Sequence, residues 1–170
     1  VPSGKLTATM PKSVGQIPLY YNHLNTGRPL KEGKWFSKFT SNYLDIDNDP
    51  LYPFGYGLSY TTFKYGKPTL SSNTMTNNET ISVSVDITNT GNYDADEIAQ
   101  MYIRDLAASV SRPVKELKGF ERISIKKGET KTVTFTITPE DLKFYNQELE
   151  YKNEPGEFEV MVGPNSKDVQ

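Results

Sequence analysis

Asp45-Ile46-Asp47-Asn48-Asp49 places carboxylates at alternate positions, the spacing with which an EF-hand loop opens, its first oxygens converging on Ca²⁺. The rest of that loop fails: Pro50 stands where the sharp turn needs glycine, and Tyr56 stands where a bidentate glutamate closes the site. The expectation is a solvated turn, with no metal ligands assigned. His23 is the single histidine, beside Asn22, with no G-x-S-x-G elbow or H-E-x-x-H pair anywhere in the chain. It reads as a loop residue. Gly55-Tyr56-Gly57 lacks the Lys-Ser/Thr pair and the helix of a phosphate loop, so it reads as a turn between segments. Asp94, Asp96 and Glu97 offer paired carboxylates, but they sit beside a turn at a strand start, where acids face water and their pKa values are not driven apart. Asn78-Glu79-Thr80 is a sequon, used only in a eukaryotic secretory pathway. No catalytic residue and no cofactor-binding residue is assigned. Tyr20, Tyr21, Trp35, Phe54, Tyr56 and Tyr60 could stack on sugars, but in a proline-rich segment interdomain packing is the better reading.

The elements that would hold these residues are strands. Ile81, Val83, Val85 and Ile87 alternate with Ser82, Ser84, Asp86 and Thr88; Val133, Phe135 and Ile137 alternate with threonines, and Phe158, Val160 and Val162 repeat the pattern. Further strands are expected around residues 60–65, 97–103, 119–125 and 149–152. Asn89-Thr90-Gly91-Asn92, Lys127-Gly128 and Pro155-Gly156 supply turns, the last read as type II with glycine at positive φ. Thr138-Pro139-Glu140-Asp141 predicts one or two helical turns, with a capping hydroxyl and proline at the first position. About seven short strands at this turn spacing predict an all-β, immunoglobulin-like or fibronectin type III-like antiparallel β-sandwich over residues 58–170. Residues 1–57 carry Pro2, Pro11, Pro18, Pro29, Pro50 and Pro53, with short strands conceivable only at 5–10 and 17–21. This extended, proline-rich segment is not self-sufficient, and its aromatics want a surface to lie on, whether the sandwich, another domain or a second copy.

The 170 residues carry 19 Lys+Arg against 21 Asp+Glu, a net charge of −2 that argues against nucleic acid and anionic membranes as partners. With no cysteine, thiolate zinc sites, thiol nucleophiles and disulfide frameworks are excluded. No apolar run is long enough to span a bilayer, so no membrane insertion is expected. The first residue is Val1 rather than Met, and the expectation is either a leader processed away or a chain cut from a longer protein.

Longer motifs go further. Pro11 to His23 (PKSVGQIPLYYNH), Thr26 to Pro29 (TGRP) and Leu51 to Thr61 (LYPFGYGLSYT) resemble the C-terminal region of family 3 glycoside hydrolases, in particular bacterial β-glucosidases. Ser111 to Ile123 (SRPVKELKGFERI), Asp141 to Asn146 (DLKFYN) and Glu154 to Gly163 (EPGEFEVMVG) look like the fibronectin type III-like domain that closes those enzymes. The resemblance implies a retaining glycosidase whose catalytic acids lie on an upstream barrel and α/β sandwich, neither motif mapping onto this sequence. A barrel of about 250 residues does not fit in this chain. The same resemblance implies a non-catalytic structural module with those upstream domains as partners, periplasmic or secreted; cut off from them, the aromatics of 1–57 would either fold back on the sandwich or stay exposed and drive self-association. Residues 1–57 would be the tail of the α/β sandwich and a linker. Phe54, Gly55, Tyr56, Gly57, Leu58 and Tyr60 would fix the join, the glycines permitting a tight backbone course. The alternatives are a free-standing carbohydrate-binding or adhesion sandwich and an intact small hydrolase.

Overall fold

The computed structural model describes residues 1–31, 34 and 36–170. Two antiparallel sheets face each other. In the first, β3 (Ile81–Asn89) pairs with β6 (Thr130–Ile137) on one side and with the short β1 (Phe63–Tyr65) and β2 (Thr69–Leu70) on the other. In the second, β4 (Ala95–Asp105) lies between β5 (Glu116–Ile125) and β9 (Phe158–Gly163). A two-residue ladder joins β7 (Phe144–Tyr145) to β8 (Tyr151–Lys152).

The alternation read from the sequence sets the register. Val83, Val85 and Ile87 stand opposite Phe135, Val133 and Lys131 of β6. The inward side chains of β3 and β6 meet Ala99, Met101 and Ile103 of β4, Ile125 of β5 and Val162 of β9 in one buried cluster. Each fully buried aliphatic side chain contributes about 1.5–3 kcal/mol, and those from strands far apart in sequence hold the sheets together. The outward residues of β3 and β6 are hydroxyls and one acid, pairing across the strands as Ser84 with Thr134 (3.0 Å), Thr88 with Thr130 (2.8 Å) and Thr132 donating to Asp86 (2.6 Å).

Several local expectations change. The strand expected over 60–65 is confined to β1, that over 149–152 to β8, and β2 and β7 join the expected set. Residues 5–10 and 17–21 form no strand; Met10 makes a single antiparallel bridge to Tyr52. The helical signal at Thr138 gives one 3₁₀ turn, Pro139–Leu142, with Thr138 N and Oγ1 both donating to Asp141 Oδ2 (2.8 and 2.7 Å). Gly128 takes φ 75° in its turn, but Gly156 lies outside the left-handed region; Leu149, in the separate turn between β7 and β8, is at φ 60°. A Cβ at Gly156 would meet only Ala107 O at 3.5 Å. Gly156→Val should therefore cost less than about 0.5 kcal/mol, the range of ordinary surface changes, and a denaturant midpoint lowered well beyond that would contradict the turn geometry.

Candidate functional site

β4 is buried on both faces. Alternation alone would leave Gln100 and Tyr102 to solvent, yet they are 3% and 0% exposed, because residues 1–57 fold across the outer side of the second sheet. The sequence signal was Ile98-Ala99-Gln100-Met101-Tyr102-Ile103, a nearly continuous apolar run of the kind found in strands covered on both sides.

The covering segment is fastened at separate points. Leu6 N donates to Tyr56 O and Gly55 N to Leu6 O (both 2.8 Å), so residues 6–10 run against 51–56. At the start of β4, Lys5 Nζ reaches Glu97 Oε1 at 3.1 Å, and the same oxygen accepts from Tyr65 OH at 2.9 Å. Glu97 is only 4% exposed, a correction to its reading as a water-facing acid: it shares the inward face of β4 with Ala99 and Met101, between the sheets, where Tyr65 of β1 reaches it. Asp94 accepts from Lys127 N at 2.7 Å, while Asp96 pairs with Arg122 at 2.6 Å and with Ser124 Oγ, the serine bond first and the guanidinium second holding its carboxyl below the usual range.

Gly55 lies at the centre. Its carbonyl accepts from Gln100 Nε2 at 3.1 Å; the same nitrogen donates to Pro164 O at 2.6 Å, and Tyr102 OH donates to Gln100 Oε1 at 2.5 Å. Gly55 sits at φ 79°, and a Cβ there would come within 2.0 Å of Gln100 Oε1. Phe54 stacks on Tyr21 (ring centroids 4.3 Å apart), and Tyr21 meets Tyr102 edge-on at 5.9 Å. Tyr56 stacks on Tyr52 at 4.9 Å, and Gly57 backs onto Gly4, where a Cβ would meet the carbonyl oxygen at 2.4 Å. Phe54, Gly55, Tyr56 and Gly57 thus pack within the chain, whereas Leu58 and Tyr60 are each 71% exposed.

Further out, Gln16 is fully buried. Its Oε1 accepts from Lys12 N (2.6 Å), its Nε2 donates to the carbonyls of Asp47 (3.0 Å) and Asp49 (3.2 Å), and its own carbonyl accepts from Tyr43 OH (3.2 Å). Two of the three carboxylates that suggested calcium are matched by lysines: Asp47 with Lys12 and Asp49 with Lys167, both at 2.7 Å. The Lys12 hydrogen bond holds the Asp47 carboxyl below its usual range. Among the described residues no group of three or more His, Asp or Glu is placed to hold a metal. His23 is exposed, and its carbonyl accepts from Val114 N at 2.9 Å. Trp35 lies outside the described residues. Lys5, Gln16, Gln100 and Tyr102 were not singled out from sequence, because each depends on partners far along the chain: Glu97 for Lys5, Asp47 and Asp49 for Gln16, Gly55 and Pro164 for Gln100, and Tyr21 for Tyr102.

The inner side of the segment is thereby saturated; its outer side is not. Met10, Val14, Ile17, Leu44, Leu51 and Tyr52 are between 40% and 84% exposed, and the Gln16 and Met10 bonds hold the two stretches that carry them together. An apolar surface of this kind on an ordered scaffold is suited to packing against another polypeptide.

Comparison with known proteins agrees with this arrangement. The family described as "Fibronectin type III-like domain" matches residues 97–166. The chain is 56% identical over 169 residues to the periplasmic beta-glucosidase of Salmonella typhimurium, covering 99% of this chain and 22% of that protein. The chain belongs to the family 3 glycoside hydrolases, as their C-terminal region. A beta-xylosidase of Formosa agariphila is 47% identical over 98% of this chain and 22% of its own length. The crystal structure of a beta-glucosidase from Listeria innocua in complex with gluconolactone superposes with a TM-score of 0.92 at 47% identity, over 99% of this chain and 23% of that one. This family 3 region thus spans roughly a fifth of the relatives it matches, and no helix among its described residues is long and apolar enough to cross a membrane.

Burial raises the Tyr65 hydroxyl above its ordinary value of 10.0, reinforced by the charge of Glu97, and burial likewise raises Tyr102. A tyrosine raised on folding holds its proton longer in the folded state. Its stabilising contribution is complete below the unfolded value and is lost as pH climbs past about 10. Denaturant midpoints should fall between about pH 9 and about pH 11, and the fall should be shallower in Tyr65→Phe. Equal pH profiles for parent and variant would place the alkaline sensitivity elsewhere.

Proposed function

We propose that this chain is the non-catalytic structural module of a β-glucosidase-type hydrolase, one that removes terminal β-D-glucosyl residues with retention. It braces the upstream barrel and α/β sandwich domains. In this reading residues 1–57 are the tail of the α/β sandwich and its linker, residues 58–170 are the fibronectin type III-like sandwich, and Phe54 to Tyr60 form the join. The observation that carries it is the two-sided segment: its inner side is locked on Gln100 and Tyr102, and its outer side presents Val14, Ile17, Leu44 and Leu51. The Salmonella and Listeria relatives, named as beta-glucosidases, support the glucoside reading, and the Formosa relative, named as a beta-xylosidase, makes xylosides the competing substrate. The word periplasmic in the Salmonella protein's name supports a periplasmic or secreted location.

A retaining glycosidase needs two carboxyl groups roughly 5–5.5 Å apart across the scissile bond. Here the acids at the start of β4 are committed to Lys127, Arg122, Ser124, Lys5 and Tyr65. The chain alone should show no turnover of an aryl β-glucoside, while co-expression with the polypeptide encoded upstream should give a stable complex that hydrolyses it. Val14→Glu with Leu51→Glu should abolish that complex. Turnover by the chain alone, or a complex indifferent to these charges, would refute the reading.

A further inference from the structure

The β7–β8 hairpin lies apart from the docking segment and is built unlike a simple connection. On its inner side Phe144 is 3% exposed and lies under the guanidinium of Arg112, 4.4 Å from the ring centroid. Arg112 is itself held by Glu116 at 2.8 Å. The turn is fixed by Asn146, which is 4% exposed: its Oδ1 accepts from Glu148 N (3.0 Å) and Glu150 N (2.9 Å), and its Nδ2 donates to Glu150 Oε2 (3.2 Å). Leu149 N donates to Asn146 O at 3.1 Å, with Leu149 in the left-handed region at φ 60°, a conformation a branched residue takes only when its surroundings impose it.

This framework displays two tyrosines. Tyr145 and Tyr151 stand opposite each other across the ladder, with ring centroids 5.0 Å apart and planes tilted by 43°. They are 65% and 49% exposed, and Leu149 beside them is 80% exposed. Neither phenol hydroxyl has a protein partner among the described residues. The charges around the rings are largely neutralised: Lys143 pairs with Glu140 and Lys152 with Glu150, while Glu154 accepts from Ser109. Glu148 remains as an exposed acceptor.

We propose that Tyr145, Tyr151 and Leu149 form a binding platform for a neutral β-linked oligosaccharide. The apolar C–H face of a pyranose stacks on the rings, and its hydroxyls bond to the two phenols and Glu148. The chemistry excludes other occupants. Paired charges give no field for a polyanion. The Lys143 ammonium, paired with Glu140, already takes the cation position over one face of the Tyr151 ring, 5.8 Å from its centroid. A stable protein partner covers roughly 800 Å² on each side, far more than three side chains ringed by charged residues provide.

The proposal stands apart from the docking reading, since it requires nothing of upstream domains and its probe is binding rather than turnover. Cellohexaose and xylohexaose titrated into the 170-residue chain should shift the Tyr145 and Tyr151 ring resonances, with a dissociation constant on the order of 1 mM for at least one of them. Tyr145→Ala and Tyr151→Ala should each weaken binding about tenfold with thermal melts close to the parent's, because both rings are exposed, and Tyr145→Phe should retain most of the affinity. Absence of binding by the parent, unchanged binding in the alanine variants, or shifts confined to residues outside 140–152 would each overturn the proposal.

Discussion

Val83→Asp should leave the chain without a cooperative thermal transition. Val83 is 0% exposed in the middle of β3, opposite Leu70 on one neighbour and Phe135 on the other, and its side chain points between the sheets. A carboxylate there finds no cation: the nearby core is Val85, Ile87, Met101, Phe135 and other apolar side chains. Burying an unpaired charge costs several kcal/mol even after relaxation, and the valine's own contribution of about 1.5–3 kcal/mol is lost as well. Domains of this size have only about 5–15 kcal/mol in total. Val83→Ala, which removes volume without adding charge, should remain folded at reduced stability, separating the charge from the cavity. Circular dichroism melts of the two variants test this, and an aspartate variant that melts like the parent would place Val83 on the wrong face of β3.

Gly55→Ala should cost about 3–5 kcal/mol, far more than an added methyl group usually does. The left-handed backbone at φ 79° costs an L side chain roughly 1–2 kcal/mol. The new Cβ would overlap Gln100 Oε1 at 2.0 Å and displace the amide that joins Gly55, Pro164 and Tyr102. Each buried partner left unpaired adds about 1–3 kcal/mol. Because the cost runs through Gln100, combining Gly55→Ala with Gln100→Ala should cost clearly less than the sum of the two single changes, the mark of a shared interaction. Hydrogen exchange should rise first in residues 51–57 and along β4, where the segment lifts from the sheet. A loss below about 1 kcal/mol would mean that the segment is held elsewhere, at the Lys5–Glu97 pair or the Gln16 bonds. In a full-length enzyme the same change should loosen the proposed docking surface, since Val14 and Leu51 are ordered through that segment.

The strands that were legible share one property. β3 and β6 each keep one face toward water or polar neighbours, so their apolar residues recur at every second position and the pattern names the face; β9 follows it except at Met161. β4 broke that rule because it is sandwiched between the core and the folded-back segment, and period two has no meaning for a strand with two buried sides. Pro155-Gly156 carried a familiar turn signature, yet Gly156 is not at positive φ, while in the preceding turn Leu149 is, a residue that composition does not select. That conformation is imposed by the bonds Asn146 makes to residues up to four positions on.

At the candidate site the division is similar. Gly55 and Gly57 were readable as places where backbone must pass closely, because glycine is the residue that permits it. What they pass was unreadable: Gln100 is 45 residues from Gly55. Glu97 looked like a surface acid in its local setting, but it shares the inward face of β4 with Ala99 and Met101, where Tyr65 donates to it and Lys5, 92 residues earlier, pairs with it.

Local alternation, turn residues and long motifs were enough to establish a β-sandwich, its inward faces and the family to which the chain belongs, since each is written in neighbouring side chains. Which acid is buried, which side of β4 is covered and which aromatics remain outside were decided by tertiary structure alone. Burial and pairing are properties of surfaces brought together across the chain, and no short window of sequence contains both surfaces.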